Sequence, residues 1–263
     1  MDQIDIGKIE QLLMKIGDYQ KKGFANLDHS KIKIKDEKGR QSFLTEFDTI
    51  SEKMINEFVS KHYPDHSLLG EESGNTVRNP EIYWIVDPID GTTNFTIGYP
   101  FWGISIGIWM NKDLRYGFIY FPVLNQLFFA NRGKGAFLNG KKLHTSQVAQ
   151  YSRTQIVATM SETHHYRKLL PVTKHRIPGS VIANLAGVAS GKFLACFMKA
   201  KIWDIASGVL MVEEAGGIIH SIPDYHTVDL PSYDHTNPLK IEVHAKANEQ
   251  LPDFETILVK IPE

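Results

Sequence analysis

The stretch WIVDPIDGTTNF, residues 84–95, places two aspartates directly after an apolar run. The residues that precede Asp87 have the composition of a buried strand, and Pro88 favours an extended conformation for Asp87. Pro88 also begins a turn, which can bring Asp90 round beside Asp87. We therefore expect both carboxylates to lie at the end of one strand, where α/β folds usually place their sites.

Two aspartates held together repel each other, so their joint ionisation at neutral pH requires a cation. Oxygen ligands on a flexible turn suit a hard ion, with magnesium favoured over calcium. The residues that follow favour an anion, because Gly91 leaves the backbone open and Thr92 can begin a helix with free amide groups. A metal ion beside an anion site indicates phosphoryl transfer or phosphate hydrolysis, with water as the nucleophile.

Two other segments carry acids, GEES at residues 70–73 and the pair Trp203-Asp204. Each has an ordinary structural explanation when taken alone. Glu71 and its neighbour can be a solvated pair, and Asp204 can be the N-cap of a helix that begins at Ile205. An Asp-x-x-Asp-Gly sequence is likewise a common turn. The joint occurrence of the three segments predicts a site, although spacing alone does not show that they meet.

The same segments closely resemble the inositol monophosphatase family. The resemblance covers most of the chain in the expected order, through GEES (70–73), WIVDPIDGTTNF (84–95), GYPFWGISIG (98–107) and WDIASGVLMVEEAGG (203–217), with weaker similarity at TEFD (45–48) and GKGAFLNGKKL (133–143). It implies an α+β fold built as a layered α-β-α-β-α sandwich. It also implies a magnesium-dependent, lithium-sensitive phosphomonoesterase that forms a homodimer and hydrolyses a small phosphorylated substrate.

The resemblance implies two or three magnesium ions. Glu71, Asp87 and the Ile89 carbonyl resemble the ligands of the first ion, and Asp87, Asp90 and Asp204 resemble those of the second. Glu71 is also the expected contact of a weaker third ion and counts among the expected catalytic residues.

The resemblance assigns the attacking water to Thr92 and Asp48. A threonine hydroxyl is a poor base, but one that is hydrogen-bonded to a carboxylate can relay a proton. The expected substrate contacts are Asp90, Gly91, Thr92, Gly179, Ser180 and Asp204. A basic residue of the N-terminal loop is expected as well, and either Lys35 or Lys38 matches it.

One departure bears on specificity. Relatives that act on inositol phosphates carry a glutamate shortly before the Trp-Asp pair, where this chain has Phe197-Met198. We expect an apolar wall there and a broad specificity, unless another acid such as Glu162 reaches the substrate. Inositol 1-phosphate or a similar polyol or sugar phosphate is the first substrate expectation, and the 2′-phosphate of NADP or fructose 1,6-bisphosphate is the alternative. An inactive phosphate-binding regulatory protein is the alternative of another class.

The 263 residues, 42% of them hydrophobic, suffice for one large domain or two closely packed ones. We expect two halves, residues 1–150 with most metal ligands and residues 151–263 with Asp204 and substrate contacts. A formal net charge of -1 argues against a nucleic acid or a membrane surface as partner. The single cysteine, Cys196, and an acidic N-terminus unlike a secretory signal predict a cytoplasmic protein.

Hydrophobic periodicity predicts helices over residues 3–25, 48–63, 164–170, 181–190 and 204–215. Shorter apolar runs predict strands over residues 67–70, 82–87, 104–110, 114–121, 127–130 and 155–159. Tight turns join the strands between residues 104 and 130, which indicates an antiparallel meander.

Overall fold

The computed structural model describes residues 4–26, 32–37, 40–165, 167–170 and 173–260. Within these ranges the α-helices are α1 (Ile6–Ala25), α2 (Glu46–His62), α3 (Thr92–Thr96), α4 (Val181–Ala189) and α5 (Ile202–Glu214). Short 3₁₀ helices span Ser161–His165, Tyr225–Thr227 and Phe254–Thr256.

The strands are distributed over two large sheets and two strand pairs. The first ten are β1 (Lys33–Glu37), β2 (Arg40–Leu44), β3 (Ser67–Gly70), β4 (Gly74–Thr76), β5 (Ile82–Asp90), β6 (Gly103–Met110), β7 (Asp113–Phe121), β8 (Gln126–Asn131), β9 (Gly135–Leu138) and β10 (Lys141–Lys142). The remaining seven are β11 (Ile156–Thr159), β12 (Arg167–Leu169), β13 (Lys174–Arg176), β14 (Ala195–Ala200), β15 (Ile218–Ile222), β16 (Ile241–Lys246) and β17 (Leu258–Lys260).

The larger sheet has eight strands in the order β10-β9-β8-β7-β6-β5-β3-β4, and the smaller has five in the order β13-β11-β14-β16-β15. Strands β5 to β10 form the predicted antiparallel meander, whereas β3 runs parallel to β5. The pairs β1-β2 and β12-β17 are separate antiparallel ribbons. The mixture of sheets and helices confirms the α+β prediction.

Buried side chains define the layers. Helices α1 and α2 cover one face of the eight-stranded sheet, where Leu13 and Ile55 pack in one cluster with Trp84. Helices α4 and α5 lie between the two sheets, where Leu185 packs in one cluster with residues of both. The outer face of the five-stranded sheet packs on the 3₁₀ segment at Phe254. The layered order is confirmed, with a 3₁₀ segment in place of a last α-helix among the described residues.

Close packing brings α5 onto the large sheet. A Cβ atom at Gly107 would lie 2.8 Å from the Ala206 Cβ atom, and one at Gly117 would lie 2.7 Å from the Ser207 carbonyl oxygen. Only glycine permits this approach of helix and sheet. The Ser105 and Ser207 hydroxyls, 2.6 Å apart, join the same two elements. The packing fixes the N-terminal end of α5, which carries Asp204, relative to β5.

Most predicted elements are present within a few residues of the expected bounds. The helix predicted over residues 164–170 is wrong, because the chain there forms the 3₁₀ helix Ser161–His165 and then β12 (Arg167–Leu169). The division at residue 150 stays a prediction, since α4 and α5 share one core with both sheets. Within the described ranges, no helix has the length and apolar character that crossing a bilayer requires.

Candidate active site

Four of the predicted acids, Glu71, Asp87, Asp90 and Asp204, meet at one cavity of about 410 Å³, whereas Asp48 is buried outside its lining. Its lining includes Glu71, Asp87, Ile89, Asp90, Gly91, Thr92, Gly179 and Asp204 from the predicted set, together with Phe43, Thr93, Asn94, Met160, Ser161, Glu162, Val181, Lys199, Ala200 and Lys240. The three acidic segments, distant in sequence, therefore open onto a common space.

An irregularity in β5 places its two aspartates together. Asp87 lies opposite Ser105 of β6 and Asp90 lies opposite Gly103, so β5 has one more residue than β6 in this interval. Residues three apart on a regular strand face opposite sides, and the inserted residue brings both carboxylates to one side. The Ile89 N–H donates to Asp87 Oδ1 at 2.9 Å, which fixes that carboxylate. The strand thus continues past Asp87, where the sequence predicted a turn.

Glu71 lies beside Asp87 because their strands run parallel. Gly70 of β3 pairs with Val86 of β5, and the Glu71 N–H extends the ladder by donating to the Val86 carbonyl at 3.1 Å. Adjacent parallel strands end at the same edge, so the next residue of each strand projects there. The sequence order of the two motifs therefore produces a pair of neighbouring carboxylates.

Asp204 reaches the cavity from the first turn of α5. The helix begins at Ile202 with Lys201 as N-cap, and Asp204 Oδ2 accepts the Lys201 N–H at 2.8 Å. The expectation that Asp204 is the N-cap is wrong by three residues. A carboxylate at this third position also gains from the positive end of the helix dipole.

Oxygen atoms of Glu71, Asp87 and Asp204 all lie within 4.8 Å of one another. Burial, followed by the charge of Glu71, raises the pKa of Asp87 and of Asp204 well above the ordinary value. A cation beside these three carboxylates would stabilise their ionised forms. Their oxygen-only donor set suits a hard divalent ion such as Mg²⁺. The residues fit a metal site.

Asp90 differs from these three carboxylates in its partners. Its Oδ2 accepts the Ile182 N–H at 3.0 Å and the Ser180 hydroxyl, and its Oδ1 accepts the Val181 N–H at 3.2 Å. Asp90 therefore links β5 to the N-terminus of α4 while it lines the cavity. Its role as a metal ligand stays a prediction.

Thr92 and Asp48 form the predicted pair. The Thr92 hydroxyl is 3.4 Å from Asp48 Oδ1 and 3.0 Å from the carbonyl oxygen of Ile89. The other Asp48 oxygen accepts from the Thr45 N–H at 2.8 Å and from the Thr45 hydroxyl at 2.6 Å, in a capping box at the start of α2. The cap leaves Asp48 Oδ1 directed at Thr92, so helix formation itself orients the carboxylate.

Two predicted backbone contacts have the left-handed conformation that favours glycine. Gly91, with φ 88°, is the N-cap of α3, and Gly179, with φ 77°, precedes Ser180, the N-cap of α4. Asn94 holds these loops together, because its side-chain amide donates to the Phe101 and Pro178 carbonyl oxygens at 2.6 and 2.8 Å. Gly91 and Gly179 line the cavity, while the Ser180 side chain is buried beneath it.

Comparison with known proteins agrees with this geometry, since the profile of the Inositol monophosphatase family matches residues 2–252. The chain belongs to the inositol monophosphatase family. Inositol monophosphatase 2 of Solanum lycopersicum is 36% identical over 225 residues, which cover 78% of this chain and 82% of the relative.

Solved structures of the inositol monophosphatase fold superimpose over nearly the whole chain. The extragenic suppressor protein SuhB of Bartonella henselae has a TM-score of 0.77 at 28% identity, covering 92% of this chain and 93% of the other. A structure described as an inositol monophosphatase–fructose 1,6 bisphosphatase has a TM-score of 0.76 at 25% identity, covering 94% and 96%. The chain is thus a phosphoric monoester hydrolase of a metal-dependent family that acts on small phosphorylated molecules.

The apolar wall predicted at Phe197-Met198 is wrong. Both side chains are fully buried, because β14 lies in the middle of the five-stranded sheet with both faces covered. Phe197 packs on the ring of Phe254, with centroids 5.9 Å apart. Only the end of β14, at Lys199 and Ala200, reaches the cavity.

The contact expected from Lys35 or Lys38 stays a prediction. Lys35 lies in β1 and its side chain is outside the described set, while Lys38 is outside the described residues. The β1-β2 ribbon does reach the cavity, to which it contributes Phe43. The apolar part of the lining therefore comes from residues such as Phe43 and Met160, which sequence reasoning did not single out.

A buried carboxylate that the motifs do not include holds the Glu71 loop. Glu52 of α2 accepts the Glu72 N–H at 2.9 Å and the Ser73 N–H at 2.6 Å, and it is 1% exposed. A Cβ atom at Gly70 would overlap the Glu52 carboxylate, so a side chain there would displace Glu52 from these two amides. The sequence signal was available, since Glu52 follows Asp48 by one helical turn and so faces the same side.

Glu52→Gln is expected to weaken Mg²⁺ binding by about 10–100-fold, the range typical of partners that orient metal ligands. The amide retains one acceptor but turns an N–H group toward a backbone donor. Calorimetric titration of Mg²⁺ measures the effect, and Glu57→Gln on the exposed face of the same helix is the control. Equal Mg²⁺ affinities in the two variants would show that the Glu52 hydrogen bonds to the Glu71 loop do not affect metal binding.

The metal-free protein is expected to lose stability as the pH rises. Burial raises the pKa of Asp90 from 3.8 to about 6, and the Asp87 pKa is raised as well. A raised carboxyl pKa means that the folded state binds the proton more tightly, so this contribution fades from about pH 4 upward through about pH 6. Melting temperatures in EDTA should fall more steeply in wild type than in Asp87→Asn. Identical pH profiles would contradict the assignment.

Proposed function

We propose that the protein is a Mg²⁺-dependent phosphatase of a small polyol or sugar monophosphate, with inositol 1-phosphate as the first candidate. The observation that carries the proposal is the group of Glu71, Asp87 and Asp204 oxygens within 4.8 Å, beside the Thr92–Asp48 pair. A phosphate seated in this cavity would lie between the carboxylates and the first turn of α3.

Different residues of the chain would bind the metal, orient the water and position the phosphate. Glu71, Asp87 and Asp204 would hold Mg²⁺, with Asp90 as a further ligand, and the bound ion supplies charge to phosphate oxygens and makes water a stronger nucleophile. The Thr92 hydroxyl, backed by Asp48, orients the attacking water and passes on its proton. The amides of Gly91 and Thr92 would position the phosphate.

Glu162 supports a polyol as the organic part of the substrate. It lines the cavity at the 3₁₀ helix Ser161–His165, and its Oε2 accepts the Ser161 hydroxyl at 3.2 Å. A carboxylate at the rim accepts hydrogen bonds from substrate hydroxyls, the function that position 197 cannot perform. We infer that Glu162 takes this part.

A second candidate, a sugar bisphosphate, is supported by two lysines in the cavity lining. Lys199 of β14 pairs in register with Glu242 of β16, and Lys240 lies two residues before Glu242. Both line the cavity, so two ammonium groups face one part of the substrate. A second phosphate would suit them.

The test compares kcat/KM for inositol 1-phosphate, NADP, fructose 1,6-bisphosphate and fructose 1-phosphate at one Mg²⁺ concentration. The first candidate predicts the highest value for inositol 1-phosphate. The second predicts that fructose 1,6-bisphosphate exceeds fructose 1-phosphate, with the ratio falling in Lys199→Met and unchanged in Lys134→Met, whose exposed lysine lies outside the cavity lining. No hydrolysis of any ester would favour the inactive regulatory protein instead.

An exposed apolar cleft supports the expected homodimer. Phe101 and Leu124 line it at its rim, and the neighbouring side chains of Ile97 and Tyr99 are 68% and 46% exposed. A cluster of exposed apolar side chains is typical of a surface that contacts another protein. We propose a second copy of the chain as the partner, which sedimentation of wild type against Phe101→Arg would test through loss of the dimer.

A further inference from the structure

A lysine side chain lies beside Glu71 of the acidic cluster. The Nζ atom of Lys201 is 3.6 Å from Glu71 Oε1, and the side chain is 11% exposed. The same Nζ atom lies 5.2 Å from the ring centroid of Trp203. The face of an indole ring attracts a cation, so a carboxylate and an aromatic ring together hold the ammonium in place.

The backbone ties this ammonium to a predicted metal ligand. Lys201 is the N-cap of α5, and its N–H donates to Asp204 Oδ2 at 2.8 Å. Lys201 and Asp204 therefore belong to one rigid helical turn. An ion that binds to Asp204 therefore has the positively charged Lys201 side chain close to it.

Charge balance shows what this cation does. Glu71, Asp87, Asp90 and Asp204 line one cavity and carry four negative charges when all are ionised. Two divalent ions balance that charge, and the ammonium adds one more positive charge. A carboxylate that binds two ions needs both of its oxygens. One oxygen of Glu71, Oε1, already lies 3.6 Å from the Lys201 ammonium, so it is less available to a further ion.

We propose that Lys201 is a tethered cation that takes the place of a divalent ion on the outer side of Glu71. It limits the site to two divalent ions and reduces the repulsion among the carboxylates when no metal is bound. The inference rests on the proposed function in one respect, namely that the acidic cluster is the metal site.

The test is calorimetric titration of Mg²⁺ and Mn²⁺ into EDTA-stripped protein, with melting temperatures measured before and after metal is added. Lys201→Met is expected to bind a third ion, or to bind its last ion at least about tenfold more tightly. Its metal-free melting temperature is expected to fall, and the rise on adding Mg²⁺ to be larger than in wild type. Lys201→Arg keeps the charge and should bind as wild type does.

Lys199→Met is the matched control, since it removes the positive charge of a lysine that lines the cavity and lies on β14, two residues before Lys201. Its ion stoichiometry should equal that of wild type. Wild type that binds three ions, or Lys201→Met that binds no more and no tighter than wild type, overturns the tethered cation and leaves the phosphatase proposal standing. Wild type that binds no divalent ion overturns the proposed function, and the inference with it.

Discussion

Asp87→Asn is expected to reduce kcat by roughly 10³-fold or more, because metal charge contributes several kcal/mol and each 1.4 kcal/mol is a factor of ten. Asp87 shares the cluster with Glu71 and Asp204, so losing its charge weakens the site for every ion it contacts. The amide oxygen can still accept the Ile89 N–H, so the β5 irregularity should persist. Phosphate release at saturating Mg²⁺ measures kcat.

Asp65→Asn, in an exposed turn, is the control for the same chemical change. It should leave both Mg²⁺ affinity and kcat at the wild-type values. Turnover within threefold of wild type in Asp87→Asn, with Mg²⁺ affinity unchanged, would remove Asp87 from the metal site.

Thr92→Ala is expected to lower kcat by about 10²–10⁴-fold, the range of general-base catalysis, with Mg²⁺ affinity unchanged. The Thr92 hydroxyl is 3.4 Å from Asp48, which the Thr45 cap holds in place. Single-turnover phosphate release and Mg²⁺ titration, measured together, separate the two effects.

Thr92→Ser retains the hydroxyl and should retain most of the activity, while Asp48→Asn should approach the loss of Thr92→Ala. A Thr92→Ala protein with wild-type turnover would move proton transfer to another group. Equal losses in Thr92→Ser and Thr92→Ala would instead indicate that packing of the methyl group, not the hydroxyl, is what matters.

Sequence reasoning found the acids because each belongs to a short motif with its own local geometry. Asp87 and Asp90 lie at the C-terminal end of the buried strand β5, and parallel pairing of β3 with β5 sets Glu71 beside Asp87. The pattern could not reveal the extra residue in β5, which is defined only against β6. The acidic residues of the site could therefore be predicted from the sequence, but their arrangement in space only in part.

Residues that act across elements were harder to predict. Lys201 becomes a neighbour of Glu71 only after α5 packs on the large sheet, and nothing in its local sequence indicates this. Phe197 is the opposite case, a residue that was expected at the cavity and does not reach it. Its position next to the Trp-Asp motif suggested the cavity, but the central place of β14 in its sheet buries it. Strand alternation predicts a face, not the depth of a residue along the strand.

Glu71, Asp87 and Asp204 are expected to make phosphate hydrolysis depend on a divalent ion. The decisive measurement is phosphate release from inositol 1-phosphate by EDTA-stripped wild type, before and after Mg²⁺ is restored. We expect no release without the ion, recovery with it, and no recovery in Asp87→Asn. Full release by the stripped protein, unchanged when Mg²⁺ is added, would show that hydrolysis does not need the ion.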